Sequence, residues 1–369
     1  MNNRQRSLAI LNYESYDRIP AVHFGFWKET LEKWYKEGHL SEHEAKNWTD
    51  GNEADKAISG KLGFDFNWYS CFHSNIFLNP GFERKVVEVL KDGTRKVQNR
   101  LGVTELEKDF AGSIPAEVDH LLKDRKSWKE HYVFRLKYSE DRIDFNALNA
   151  IKKQPDREIP LGIHCGSLFG NIRNLMGVEG ISYLYADDEA LYDEIINAVA
   201  DLCYKITEKV LSCGVRFDFG HFWEDICFKN GPLVNPSVFD EKVGPHYRKI
   251  THLLKKHGIQ IISLDCDGLI DSLIPTWFGN GINTMFPIEV GTWNANIKPW
   301  REKYGKELRG VGGMDKKVFA CDYAAIDAEI QRLRPLIELG GYIPCPDHRI
   351  PMDAKWENVQ YYCEKIRNL

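Results

Sequence analysis

The run IISLDCDG at 261–268 ends on two carboxylates two residues apart, Asp265 and Asp267. A second apolar run, MFPIE, ends on Glu289, and a third, YIPCPDH, ends on Asp347 and His348. Such groups cost free energy unless they are solvated, paired or bound to a ligand. They are also the groups that move protons, stabilise leaving oxygens and hold hard or borderline metals. Further candidates follow other apolar runs: His23, Asp65, His164 with Cys165, His221-Phe222-Trp223-Glu224-Asp225, and Asp315-Lys316.

Each candidate has a structural alternative. Asp267 and Asp315 precede helical patterns and Asp347 sits in a turn, where a carboxylate caps backbone N–H groups. Glu289 closes its run where no helix immediately begins, and His348 lies between a strand and a proline, so both are expected in a pocket. His23, His164 and His221 suit substrate contacts or satisfied structural donors equally. Trp27, Trp34, Trp68 and Trp277 are expected in the core, whereas Trp223, between His221 and Glu224, is placed to line a binding site.

Groups so far apart can cooperate only if the fold gathers the run ends. From residue 158 onward, β-prone runs at 158–166, 215–222, 259–266, 282–289, 307–314 and 340–347 alternate with longer helical patterns. Two more runs, 18–24 and 63–69, bring the count to eight. Eight βα units predict a (β/α)₈ TIM barrel spanning 1–369 as one domain, and no G-x-G-x-x-G turn favours a nucleotide-binding sheet. Region 70–157 does not fit a βα unit. It reads as an insertion after the second strand, a β-hairpin or small meander turning at 91–94 followed by polar helical sequence. In a barrel, reactive groups belong at the C-terminal strand ends, and the candidates concentrate there.

Composition narrows the function. At net charge −5, with 43% hydrophobic and 28% charged residues, no Lys/Arg block suits nucleic acid. No apolar stretch is long enough for a membrane span and no signal peptide is evident, so a cytoplasmic location is expected. Nine scattered cysteines without a C-x-x-C predict neither a disulfide framework nor a cysteine-only zinc site.

The segments NRQRSLAILNYESYDRIPAVHFGFW, GHFWEDICFKNGPLVNPSVFDEKVGPHYRKI, LDCDGLIDSLIPTWFGNGINTMFPIEV and GGYIPCPDHRIP together resemble the uroporphyrinogen decarboxylase superfamily. The resemblance implies a (β/α)₈ barrel. Its decarboxylases carry R-Q-A-G-R after the first strand to clamp a polycarboxylate; here the stretch reads HFGFWKETLEKW, with Lys28 and no arginine. Its corrinoid-dependent methyltransferases bind zinc through H-x-C after the fifth strand and a late cysteine. Those positions are matched here by Asp265-Cys266-Asp267 and His348, so the resemblance implies a zinc site from Asp265, Asp267, Glu289 and His348.

Oxygen and nitrogen ligands suit an ether oxygen better than a thiol. The expectation is therefore an O-demethylase-type methyltransferase, acting on a small methylated substrate and passing the methyl group to a separate corrinoid protein. Glu224, Asp225, Glu289 and His348 would be catalytic, and His23, His164, His221, Trp223 and Lys316 would bind substrate. No D-x-H-x-x-G motif is present, so the corrinoid is expected on the partner; a homodimer stands as an option. The rival readings are a metal-independent decarboxylase or lyase using Lys316 or Arg349 to hold a carboxylate, and a non-catalytic binding barrel.

Overall fold

In the computed structural model, which describes residues 1–108 and 115–369, seven parallel strands form one sheet in the order β15-β14-β13-β12-β9-β8-β3. Six of them are β8 (Gly162–His164), β9 (Phe219–Trp223), β12 (Ile261–Asp265), β13 (Thr284–Phe286), β14 (Arg309–Met314) and β15 (Tyr342–Pro346). The remaining staves are β1 (Val22–His23) and a stave broken into β2 (Phe66–Asn67) and β3 (Cys71–Phe72). β2 pairs with β1 and β3 pairs with β8, both in parallel. A parallel bridge between Phe26 and Ile350 links the chain beyond β1 to the chain beyond β15. Ile350 N–H donates to Gly25 O at 3.0 Å, and Trp27 N–H donates to Ile350 O at 3.2 Å. All eight predicted runs thus become staves of a (β/α)₈ barrel.

The helices follow from their sequence. Glu189–Ser212 buries Leu191, Ile195, Val199, Leu202, Ile206 and Val210, a spacing of three and four that puts one apolar face on the barrel. Burying each of these side chains is worth about 1.5–3 kcal/mol. Asp188 caps the helix by accepting from Leu191 N–H at 2.9 Å. The helical pattern between the runs at 215–222 and 259–266 forms two helices, Pro236–Lys242 and Gly244–Lys256. A helix the sequence reading did not assign, Gly170–Asp187, bends at Gly177, where φ is 70°.

The insertion takes the meander form of the expectation. β4 (Lys85–Val89), β5 (Arg95–Gln98), β6 (Val103–Glu107) and β7 (Ala116–His120) form an antiparallel sheet in that order, and positions 109–114 of the predicted 70–157 insertion lie outside the described residues. The predicted turn at 91–94 joins β4 to β5, with Gly93 at φ 83°. The sequence after β7 is helical as expected but broken and not uniformly polar: short helical segments run from Arg125 to Arg142 before the helix Phe145–Lys152. Trp128, Tyr132, Leu136 and Leu148 in this stretch are buried. The remaining small elements are β10 (Cys227–Phe228) and β11 (Gly231–Pro232), a hairpin beside the site. Among the described residues, no helix is long and apolar enough to cross a membrane.

Candidate active site at the barrel mouth

Strand register sets the depth of each inward side chain. Ser263 pairs with His221 and Thr284, and Asp265 pairs with Trp223 and Phe286. On β9 the alternate residues face the helices: Phe222 packs on Tyr247 at 5.2 Å, and a Cβ at Gly220 would lie 2.7 Å from Leu254. His221 and Trp223 therefore point into the barrel, and so do Ser263 and Asp265 beside them. His164, paired with His221, joins the lower layer.

Above these layers the acids gather. His348 Nε2 lies 3.3 Å from Asp267 Oδ2, and its ring stacks on Trp27 at 5.3 Å and meets Phe24 edge-on at 5.7 Å. Glu289 accepts from Gly268 N–H at 2.7 Å and from the Thr292 hydroxyl at 2.9 Å. Gly268 has φ 84°, and a Cβ there would lie 2.8 Å from the Cys227 backbone, so glycine is what brings this N–H to Glu289. The Asp225 carboxylate bonds to Arg173 Nη2 at 3.0 Å. Arg349 lies across the mouth, paired to Asp50 at 2.7 Å and above Trp48 at 5.3 Å and Tyr69 at 5.8 Å.

Asp265 is buried at 7% exposure. Burial first, then the charges of Asp267 and Asp225, drive its carboxyl pKa well above the ordinary value, and Arg349 opposes this. Burial, reinforced by Asp267, also raises Glu289. Asp225 is raised by its dense surroundings against the pull of Arg173, although its side chain keeps 40% exposure, because it sits inside the concave mouth. Crowded acids of this kind retain protons that isolated ones release.

Several predicted residues do other work. Glu224 is fully buried and accepts from Leu168, Phe169 and Gly170 N–H at 2.7–3.0 Å, from the Ser167 hydroxyl at 3.0 Å and from the Tyr247 hydroxyl. It closes the start of the helix Gly170–Asp187, so the expected catalytic role is replaced by a structural one. His23 is buried, with Nε2 2.8 Å from Ser59 Oγ and Nδ1 accepting from Gly25 N–H; its expected substrate role is likewise replaced. Asp65 precedes β2 and binds Arg18 and Arg367, at the N-terminal end of its strand and away from the mouth. Asp347 accepts from Val290, Gly291 and Lys316 N–H and from Lys316 Nζ at 3.4 Å. That bond holds Lys316 on a loop clamp, while Asp315 caps the turn at Lys317.

The sequence reading missed Asp50, Tyr69 and His73 and put Trp27 in the core. His73 stacks on His164 at 4.6 Å. For zinc, Asp267 and His348 supply two donors, but among the described residues no group of three His, Cys, Asp or Glu converges on one point as a metal ion requires. The donor set in this arrangement does not fit a three-ligand zinc centre.

Fold and site together define an α/β barrel with an acid-rich mouth. A family model described as Uroporphyrinogen decarboxylase (URO-D) matches residues 121–369, and the chain belongs to that family. Among solved structures, a methyltransferase from Methanosarcina mazei is similar at 13% identity with a TM-score of 0.61, over 100% of this chain and 99% of that one. At that identity the likeness bears on the fold, and it agrees with the barrel. A Listeria monocytogenes chain described as "Putative Vitamin-B12 Independent Methionine Synthase" matches at 14% identity and TM-score 0.40, over 95% of this chain and 98% of that one. No curated protein matches the chain.

Proposed function

We propose that the chain is a methyltransferase that takes a methyl group from a small O-methyl donor, such as a methoxylated aromatic, and delivers it to a corrinoid protein docked over the barrel mouth. The observation that carries this reading is Asp265, a buried carboxyl beside Asp267 and Asp225 whose pKa is driven well above the ordinary value, first by burial and then by those two acids. A methyl ether is inert until its oxygen can depart as a neutral hydroxyl. As the carbon–oxygen bond breaks, its electron pair stays on oxygen and the Asp265 proton moves to that oxygen. The methyl carbon bonds to the nucleophile, which the partner's reduced corrinoid supplies. His348, held on Trp27 and touching Asp267, is the route by which a solvent proton returns. The methyltransferase description of the Methanosarcina structure supports the same reading.

The cations weigh against a polycarboxylate substrate. Arg349 is engaged by Asp50, Arg173 by Asp225 and Lys316 by Asp347, so incoming carboxylates would meet acids.

The test incubates purified protein with a panel of methoxylated aromatics and chemically reduced cobalamin, following methylated cobalamin by absorbance and the demethylated product by chromatography. Equal amounts of both are expected, and Asp265→Asn lowers the rate by roughly 10²–10⁴. Absence of both products across the panel, with free cobalamin and with a corrinoid protein as acceptor, overturns the proposal.

A further inference from the structure

The lower polar layer of the barrel has unmet hydrogen-bonding capacity. His221 and Ser263 are each 0% exposed, and both ring nitrogens of His221 and the Ser263 hydroxyl have no hydrogen-bond partner among the described residues. Leaving such groups unsatisfied costs about 1–3 kcal/mol each, so a stable fold that retains them points to something outside the chain that completes them. The layer is walled by rings: Tyr69 meets His221 edge-on at 5.2 Å, Phe286 at 5.8 Å, and His164 lies 5.9 Å away. His164, level with His221 on the neighbouring strand, is only partly buried. Asp265 stands two residues above Ser263 on the same face of β12, about 7 Å nearer the mouth at the usual strand rise.

We propose that this layer is the floor of the donor site and binds an uncharged hydroxyl group of the methyl donor, placing its ether oxygen at Asp265. The donor class is therefore a hydroxylated methyl ether, phenolic or alcoholic, and not a methoxylated acid. The assignment of the occupant as a methyl donor rests on the function proposed above.

The chemistry of the layer selects that group. Burial, with a contribution from His73, lowers the His221 pKa to about 3, and burial with its imidazole neighbours lowers His164 well below the ordinary value. Both are neutral at physiological pH, and a neutral imidazole presents one N–H donor and one acceptor nitrogen. Ser263 also both donates and accepts. A hydroxyl group answers both functions, whereas a carboxylate only accepts and would leave the imidazole acceptor facing negative charge.

The test is equilibrium binding by calorimetry, without corrinoid, of three probes: a hydroxylated aryl methyl ether, the same ether lacking the hydroxyl, and the same ether with a carboxylate in its place. The wild-type protein is expected to bind the hydroxylated probe at least tenfold more tightly than either of the others, since a site built for a hydroxyl rejects its absence. His221→Phe removes both nitrogens and should bring the hydroxyl preference close to one while the unhydroxylated ether still binds. Ser263→Ala should reduce the preference, and His221→Asn, which keeps a donor and an acceptor, should retain part of it. Equal binding of the three probes by wild type, no binding of any of them, or tightest binding of the carboxylate overturns the inference. So does a preference unchanged in both His221→Phe and Ser263→Ala, which would mean that the layer holds only water. A hydroxyl preference lost in His221→Phe, in a protein that transfers no methyl group, would retain the hydroxyl subsite and remove the methyl-transfer reading instead.

Discussion

Replacing Asp265 by asparagine should change how stability responds to pH. The folded-state pKa of Asp265 lies well above 3.8, raised first by burial and then by Asp267 and Asp225. A carboxyl raised in this way contributes stability that is fully present below its unfolded pKa and is lost as pH rises toward the folded one. Between those limits the unfolded chain has released a proton that the folded chain keeps, so wild-type stability falls by about 1.4 kcal/mol per pH unit on this account. Asparagine has no such proton, and its curve lacks this slope. Urea denaturation of both proteins from pH 4.5 to 8 measures the difference. Stability of Asp265→Asn minus that of wild type should climb by about 1.4 kcal/mol per unit from above pH ~4. The climb should stop at a break that marks the folded pKa, with equal denaturant slopes. A difference flat across the range would refute both the buried proton and the acid assigned to it.

Glu224→Ala should cost about 3–5 kcal/mol in urea denaturation, because several buried donors lose one acceptor together; a loss below about 1 kcal/mol would contradict the structural role. Arg349→Met removes the charge that holds Asp265 down, so the alkaline limb of the kcat/KM profile for methyl transfer should move to higher pH, and a downward shift would contradict the assignment. Gly312→Ala places a Cβ 1.6 Å from Pro287 O at φ 129°, so thermal denaturation should show a loss above about 4 kcal/mol or no folded protein.

The barrel was legible because βα alternation is a strong pattern, and it carried the best part of the site with it. Asp265, Asp267, Glu289 and His348 could be grouped before any coordinates because each ends a stave or follows one directly. Glu224 and His23 satisfy the same positional rule, yet their polar atoms are consumed by Ser167, Tyr247 and Ser59 and by local backbone N–H groups. Residue type and position carry no information about such partners. Asp65 was misassigned because its stave begins one residue later, at Phe66, which moves the carboxylate to the opposite end. Asp50, Tyr69 and His73 reach the site from connecting segments whose path no periodicity fixes. The stretch after β7 was legible as helical, but its breaks and its buried face were not, because Trp128 and Tyr132 lie among charged residues.

The division of one stave into β2 and β3 gives the barrel an uneven stiffness. From β8 to β15 each stave is one unbroken strand, whereas the interrupted stave is split between a pairing with β1 and a pairing with β8. Tyr69 lies within that interruption and His73 just beyond it, while Asp265 and Asp267 hang from the continuous part of the wall. Thermal breathing would therefore concentrate on the flank where a guest molecule first slides past, leaving the proton-bearing side nearly still. Accommodation of differently shaped guests and precision of the reacting centre would then be separate properties, altered by different substitutions.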